Sequence, residues 1–414
     1  MKFIDWFAGI GGFRRGMELA GHECVGFCEF DKFATASYIS MHLLTDEQRK
    51  RLDELPQKKR QKEILKDEYR NGEWYANDVR RVCADDIPKA DCWCFGFPCQ
   101  DISVAGKQLG FQGNRSSLFF RVMYLIGQLE EENRPTYLFI ENVKNLLSVN
   151  GGWDFARLLI EMEHGGYDAE WQVLNSKDFG VPQNRERCFI VGHLRGRGSA
   201  KVFPVEFDQN GITETLDTAQ GGGRGHHVAL PCFIDLAYQG KPVTTDVSRT
   251  ILARYYKGCS NIHENSGIAI PILTPDRTEK RQNGRRFKED GEPMFTLTGQ
   301  DRHGVGIEPL GVLRNVRSDY GKEISNTLDT SCNQGIFVQV SEELTVYAVW
   351  YEKYHCYIAI RKLTPKECFR LQGWTDDYFE KAQFVNSDSQ LYKQAGNGVT
   401  VNVIQAIAEQ LRFA

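Results

Sequence analysis

Six short β-rich runs govern what residues 1 to 200 can fold into: "KFIDWF", "ECVGFCE", "ANDVRRV", "DCWCFGF", "TYLFIEN" and "RCFIVGH". Each reads as a strand, and helical sequence such as Arg14 to Ala20 and Leu118 to Glu132 lies between them. Strand, helix, strand, repeated, predicts an α/β domain with a parallel sheet covered on both faces. In that architecture ligands gather at the carboxyl ends of the strands. A composition of 41% hydrophobic and 26% charged residues suits a soluble protein with a large core. At 414 residues the chain should divide into roughly two or three domains.

The remaining sequence departs from this alternation. Residues 42 to 75 hold nine Lys or Arg and eight Asp or Glu, the composition of a solvated helical insertion laced with ion pairs. "KKRQK" within it could instead touch a DNA backbone. From 201 to 345 glycine, threonine and aspartate rise, and a loose repeat appears in "ETLDTAQGGG", "SRTILARYYKG", "MFTLTGQDRHG" and "SNTLDTSCNQG". Short strands joined by tight turns read this way. Helical grammar returns in "LTPKECFRLQGW", with Thr364 as N-cap, Pro365 at the first helical position and Glu367 two residues on. The expected plan is a catalytic domain over 1–200, a strand-rich inserted domain over 201–345, a return and hinge over 346–390, and a C-terminal helix over 391–414 packing back on the first domain. The net charge of −4 confines any nucleic-acid contact to local basic patches. The 12 cysteines lack the spacing of a disulfide framework, so reduced thiols in a cytosol are expected. No run approaches the roughly 20 apolar residues of a membrane span.

"FIDWFAGIGGFRRGMELAG" reads as strand, glycine turn and helix. Gly9, Gly11 and Gly12 let the backbone approach a ligand closely. The spacing is not G-x-G-x-x-G, which argues against a phosphate-gripping dinucleotide site. Glu29, about twenty residues on, is placed to accept hydrogen bonds from both hydroxyls of a ribose. Asp78 should end the third strand and contact an adenine amino group. Two acids without a basic phosphate clamp suit S-adenosyl-L-methionine better than NAD or ATP.

Cys99 should close the fourth strand, followed by the small and polar residues of "DISVAGKQLGFQGNR", which read as a mobile lid. On position alone, a catalytic thiol and a buried inert one are equally good readings. Cys92 and Cys94 have no matching His or Cys cluster and read as strand core, with no metal expected. Glu141 in "FIENV" falls at the same sheet edge, where a carboxylic acid could donate to a ring nitrogen, or simply cap a helix or pair with a cation. Arg185 and Arg187 stand two apart at the entrance of a strand. One could reach an exocyclic oxygen while the other holds nearby groups, or both could be surface cations.

Together these residues resemble the DNA (cytosine-5)-methyltransferase family. The stretches that carry the resemblance are "DWFAGIGGF", "CEFDKFA", "GFPCQDISVAGKQLGFQGNRSSLFF", "ENVKNLL", "VPQNRERCFIVG", "RKLTPKECFRLQGW" and "QAGNGVTVNVIQAIAEQL". The resemblance implies a Rossmann-like methyltransferase domain, a smaller target-recognition domain, and a DNA cleft between them. It makes Cys99 the nucleophile, Glu141 the acid at the ring nitrogen and Arg187 the contact to the carbonyl oxygen, with Arg185 beside them. Phe7, Gly9, Ile10 and Gly12 would line the cofactor, Glu29 would take the ribose, and Phe30, Asp78 and Val79 would surround the adenine. Pro98, Leu118, Asn397 and Val399 would complete that pocket. Gln100, Ser103 and Arg115 would meet the DNA from the loop after Cys99. The basic island "RTEKRQNGRRFK" would add Arg285 and Arg286. "GNG" at 396 to 398 departs from the family's usual Gly-Asn-Ser, and residues 201 to 345 match no pattern that carries over.

The implied reaction is methylation of a flipped-out cytosine in double-stranded DNA through a covalent bond from Cys99 to C6. The enzyme is expected to be a monomer in the cytoplasm of a bacterial or phage-infected cell, with room for a cognate restriction endonuclease acting separately. Three rival readings are the same chemistry on tRNA, a nicotinamide oxidoreductase, and a catalytically silent DNA-binding regulator.

Overall fold

The computed structural model describes residues 1–97, 117–197, 201–205, 248–250 and 363–411, and a set of strands between 233 and 362. Two compact units account for the chain. One comprises residues 1–221, 250–256 and 365–414; the other comprises 222–249 and 257–364.

In the first unit the strands are β1 (Lys2–Trp6), β2 (Glu23–Cys28), β3 (Trp74–Ala76), β4 (Cys92–Gly96), β5 (Tyr137–Val143), β6 (Tyr167–Asn175), the two-residue β7 (Gln183–Asn184) and β8 (Glu186–Leu194). Its helices are α1 (Gly12–Leu19), α2 (Lys32–His42), α3 (Asp46–Asp53), α4 (Gln57–Glu63), α5 (Ser117–Gln128), α6 (Trp153–His164), α7 (Pro365–Arg370), α8 (Asp376–Gln383), α9 (Asp388–Asn397) and α10 (Val401–Ala408). The sheet runs β3-β2-β1-β4-β5-β8-β6. Strands β3 to β5 in that order are parallel, and β8 lies antiparallel to both β5 and β6. The chain winds outward in both directions from β1 and β4, so the strand order reverses between them. That switch point is where a doubly wound sheet opens a ligand crevice.

Alternation along β1 decides what covers each face. Ile4 and Trp6 point to one side, where Trp93 and Phe95 of β4 meet Phe119, Val122 and Ile126 of α5. Phe3 points to the other, into a cluster with Phe13 and Met17 of α1, Phe139 of β5, and Val403, Ile404 and Ile407 of α10. Cys92 and Cys94 are fully buried in this second cluster, two positions apart on one face, with their sulfurs 3.7 Å from each other. Helices α1 and α10 approach so closely that a Cβ on Gly16 would lie 2.5 Å from Ile404 Cβ. The C-terminal helix therefore completes one face of a sheet begun at residue 2.

Three sequence expectations change here. The third strand ends at Ala76, and Asp78 instead caps a short 3₁₀ turn over Val79–Arg81 by accepting the Arg80 N–H. The edge strand β6 has no counterpart among the expected runs. Its burial is mixed, with Asp168 and Trp171 exposed, so no apolar run marks it. The expected limit at residue 345 falls inside β16 (Leu344–Tyr351), which pairs with β15 (Gly335–Ser341), and the second unit runs on to residue 364.

The second unit holds those two strands with β9 (Phe233–Asp235), β10 (Val243–Thr245), β11 (Ser248–Arg249), β12 (Ser266–Pro271), β13 (Gly311–Arg314), β14 (Arg317–Tyr320) and β17 (Cys356–Lys362). Its eight-stranded sheet, β10-β9-β12-β17-β16-β15-β13-β14, is antiparallel at every pairing.

The charged stretch 42–75 is helical over α3, α4 and a 3₁₀ turn at Asp67–Arg70 before it enters β3, and only part of it is solvated. Arg51–Glu68 and Lys66–Glu63 pair at the surface, and Lys58, Lys59 and Lys62 are exposed. Gln57, Arg60 and Gln61 reach across to the end of α8. They donate to the carbonyls of Gln383, Phe384, Val385 and Asn386, just where α8 ends and leaves its last carbonyls without helical partners. The Arg60 guanidinium also sits 3.8 Å over the Phe384 ring.

Candidate active site

The turn after β1 is held in an unusual backbone conformation. Phe7 and Gly9 adopt positive φ of 54° and 57°, and Gly11 reaches 85°. A side chain at Gly9 would meet no described atom within 4 Å, so the backbone there is open to a ligand. Gly11 and Gly12 are needed for a different reason. A Cβ on Gly11 would strike His42, and one on Gly12 would lie 2.6 Å from Val399 Cγ2. Gly12 and Val399, both expected at the cofactor, thus pack on each other. His42 fixes the turn from behind, with its Nε2 2.9 Å from the Ile10 carbonyl. Burial, reinforced by the Arg14 charge, holds this imidazole well below its ordinary pKa. It is neutral at pH 7, and its Nε2–H donates.

Below the turn, Asp5 is fully buried and accepts the Arg14 N–H at 3.3 Å in the first turn of α1. Burial raises its carboxyl well above the ordinary value, against that hydrogen bond. Glu29 follows β2. Its Oε2 accepts from Gly9 N at 2.7 Å and its Oε1 from Asp31 N at 2.6 Å. Burial raises its pKa, and these two backbone donors oppose the rise. The carboxylate is thereby oriented beside the glycine turn. Phe30 is 72% exposed, a flat apolar surface next to that acid. The Arg80 guanidinium lies 5.7 Å from its ring centroid and grips Asp78 through Nε and Nη2 at 2.8 Å each. Asp78 therefore spends its oxygens on Arg80. Val79 is buried, and Leu118 packs against the core near it.

The adjacent strand ends carry the second group. Gly96 of β4 pairs with Glu141 of β5 in register, and a Cβ at Gly96 would come 3.1 Å from Glu141 Oε2. Asn142 Nδ2 donates to the Phe97 carbonyl at 3.3 Å, pinning the backbone as it leaves β4. Arg187, near the start of β8, places Nε 3.0 Å from Glu141 Oε1; both side chains are largely buried, at 17% and 13% exposure. Pro98, Cys99, Gln100, Ser103, Arg115, Arg285 and Arg286 lie outside the described residues. Cys99 follows Phe97 by two positions in the chain.

Arg185 goes elsewhere. It is buried and donates to the Gly398 carbonyl at 2.7 Å and the Gly396 carbonyl at 3.5 Å, on either side of Asn397. Burial, with Arg187 adding repulsion, lowers its pKa to about 9, which still leaves it charged at neutral pH. It holds the end of α9, where Asn397 is exposed, and the turn after it. Gln372 grips the same segment from the other side. Its side chain donates to Ala395 O and accepts from Thr400, and its carbonyl accepts from Val401 N. Gln372 and His42 escape the sequence reading because their partners, backbone atoms and the Thr400 hydroxyl, are remote in the chain.

Residues 1–412 match the model of the family described as C-5 cytosine-specific DNA methylase. The chain is 27% identical to the orphan methyltransferase M.SPRI of Bacillus phage SPR, over 99% of this chain and 97% of that one. It is 28% identical to the type II methyltransferase M.HhaI of Haemophilus parahaemolyticus, over 99% and 93%. Among solved structures it resembles the Entamoeba histolytica methyltransferase EhMeth, with a TM-score of 0.52 at 14% identity over 99% and 97% of the chains. The S. pombe Dnmt2 methyltransferase gives 0.51 at 13% identity over 99% and 98%. At such identities the structural likeness speaks for the fold, a Rossmann-like methyltransferase sheet.

Proposed function

Since the chain belongs to the C-5 cytosine-specific DNA methylase family, we propose that it methylates C5 of a cytosine flipped out of duplex DNA, through a transient Cys99–C6 bond. The observation that carries this reading is the buried Glu141–Arg187 pair at 3.0 Å, set at the carboxyl ends of β4 and β5 beside the glycine turn of β1. The residues of that turn suit S-adenosyl-L-methionine. Gly9 is open, Glu29 is oriented by two backbone donors to meet ribose hydroxyls, and Phe30 offers a face for an adenine. When bound, the cofactor supplies an electrophilic methyl group.

The protein's part is to make C5 a nucleophile. The ring is electron-poor, and addition of a thiolate at C6 breaks its aromaticity and pushes electron density to C5. Glu141 serves the ring nitrogen N3 by hydrogen bond or proton, taking up charge that would otherwise accumulate. Arg187 serves O2, and an electrostatic donor of this kind is typically worth about 3 kcal/mol. After methylation a base removes the C5 proton, the C5–C6 double bond re-forms, and the thiol departs. Extruding the base costs a few kcal/mol and is needed because the stack covers both carbons.

DNA is favoured over tRNA by the family description, and intact Glu141 and Arg187 speak against a silent regulator. No described helix is long and apolar enough to cross a membrane. Action as a monomer, a partner endonuclease and sequence reading by residues 201–345 complete the proposal. Incubation with methyl-tritiated S-adenosylmethionine, duplex DNA and tRNA tests it. The label should appear in DNA as 5-methylcytosine after digestion; label confined to tRNA, or on another base, would refute it.

A further inference from the structure

We propose that Lys393 is a positioning residue for the cofactor acid Glu29, acting through Asp31; this rests on the reading of Glu29 as the ribose-binding carboxylate. Lys393 lies on α9 and reaches back 362 residues, placing its Nζ 2.6 Å from Asp31 Oδ2. Asp31 then does two things at once. Its Oδ1 caps α2 by accepting Phe33 N at 2.8 Å, and its own N–H donates to Glu29 Oε1 at 2.6 Å. The three residues form one chain of contacts from the C-terminal segment to the cofactor acid.

Charge gives this chain a function beyond packing. Asp31 brings a negative charge next to a carboxylate that must be ionised to accept two ribose hydroxyls. Burial already favours the neutral form of Glu29, and the Asp31 charge adds to that. Lys393 offsets it: although partial burial works to raise the Asp31 pKa, the hydrogen bond from Lys393 and that from Phe33 N outweigh it. Lys393 thus stands as the counter-charge for the acidic side of the pocket. The other titratable groups facing Glu29 are Asp5 of β1, Cys28 of β2, and Tyr75 of β3, whose hydroxyl donates to the Glu29 carbonyl. None of them is a cation. An ion pair with side chains 45% and 31% exposed adds little to folding stability. Its consequence is therefore expected at the neighbouring acid.

The neighbours of Lys393 fix where it stands. Gln394 accepts from Ser37 and donates to the Phe33 carbonyl, so α9 is tied to α2 next to the ion pair. Two residues further on, α9 ends through Gly396 and Asn397, the segment that Arg185 and Gln372 clamp. The same helix thus delivers a counter-charge to one part of the pocket and its own clamped C-terminal end to another.

The test is calorimetric binding of S-adenosylmethionine across pH to the full chain and to Lys393→Met, Lys393→Arg and the double variant Asp31→Asn/Lys393→Met. Lys393→Met should bind roughly three- to tenfold more weakly on the acid side of neutrality, with a smaller loss at higher pH, because an uncompensated acid beside Glu29 favours its protonation. Lys393→Arg should restore the wild-type profile. The double variant, with both charges gone, should do the same even if the single variant folds poorly. A profile for Lys393→Met that overlays wild type, or one displaced equally at every pH and not recovered in the double variant, would overturn the proposal. Failure of the wild-type chain to bind the cofactor at all would instead remove the underlying reading of the pocket.

Discussion

His42 illustrates how a residue outside the glycine turn fixes its conformation. It lies half-buried beneath the glycine turn, neutral, and donates to the Ile10 carbonyl. The native state resists protonating it, while the unfolded chain takes up a proton near pH 6.5. Stability is therefore undiminished by this group above about pH 6.5. It is lost as pH falls below that value, by up to about 1.4 kcal/mol per unit, because the unfolded state then binds more protons. Urea unfolding between pH 7.5 and 5 should show this slope, and His42→Gln should flatten it; equal slopes would exclude His42 as the source. At this scale the sequence is partly legible. Gly9 and Glu29 stand out by spacing after a strand, since a ligand at a strand end needs backbone and acid at fixed separation. His42, Gln372 and Lys393 do not stand out, because their partners are carbonyls or charges brought near only by folding.

Among the elements, α10 shows most clearly how remote sequence completes the site. Its Val403, Ile404 and Ile407 fill the face of the sheet above Phe3 and Phe139, and Gly16 admits Ile404 at backbone range. Ile404→Ala removes a fully buried side chain at a helix crossing that backbone contact keeps from collapsing. It should cost about 2–5 kcal/mol, read as a drop in the denaturation midpoint with an unchanged m-value. A loss below 1 kcal/mol would mean that α10 is not part of the core. Strands β1, β4 and β5 are legible because buried parallel strands are apolar on both faces. Strand β6 is not, since an edge strand carries charge and exposed aromatics. The role of the insertion is equally hidden. Its composition announces solvated helices, yet Gln57, Arg60 and Gln61 serve as side-chain caps for α8, a function composition does not record.

For the molecule as a whole, the first unit is assembled from both ends of the chain, and that discontinuity brings Val399 to a turn formed by residues 7 to 12. The order of motifs along the sequence makes the chemistry legible; three-dimensional closure explains why the last fifty residues belong to it. The central claim is that Cys99 forms a bond to C6 of the target cytosine. Replacing the C5 hydrogen by fluorine removes the proton whose loss would release the thiol. Duplex DNA carrying 5-fluorocytosine at the target site, incubated with the enzyme and S-adenosylmethionine, is the most direct test, read by mass spectrometry of the digested complex. The account predicts a stable adduct mapped to the peptide containing Cys99 and absent in Cys99→Ser. Turnover without an adduct, or an adduct on any other residue, would contradict it.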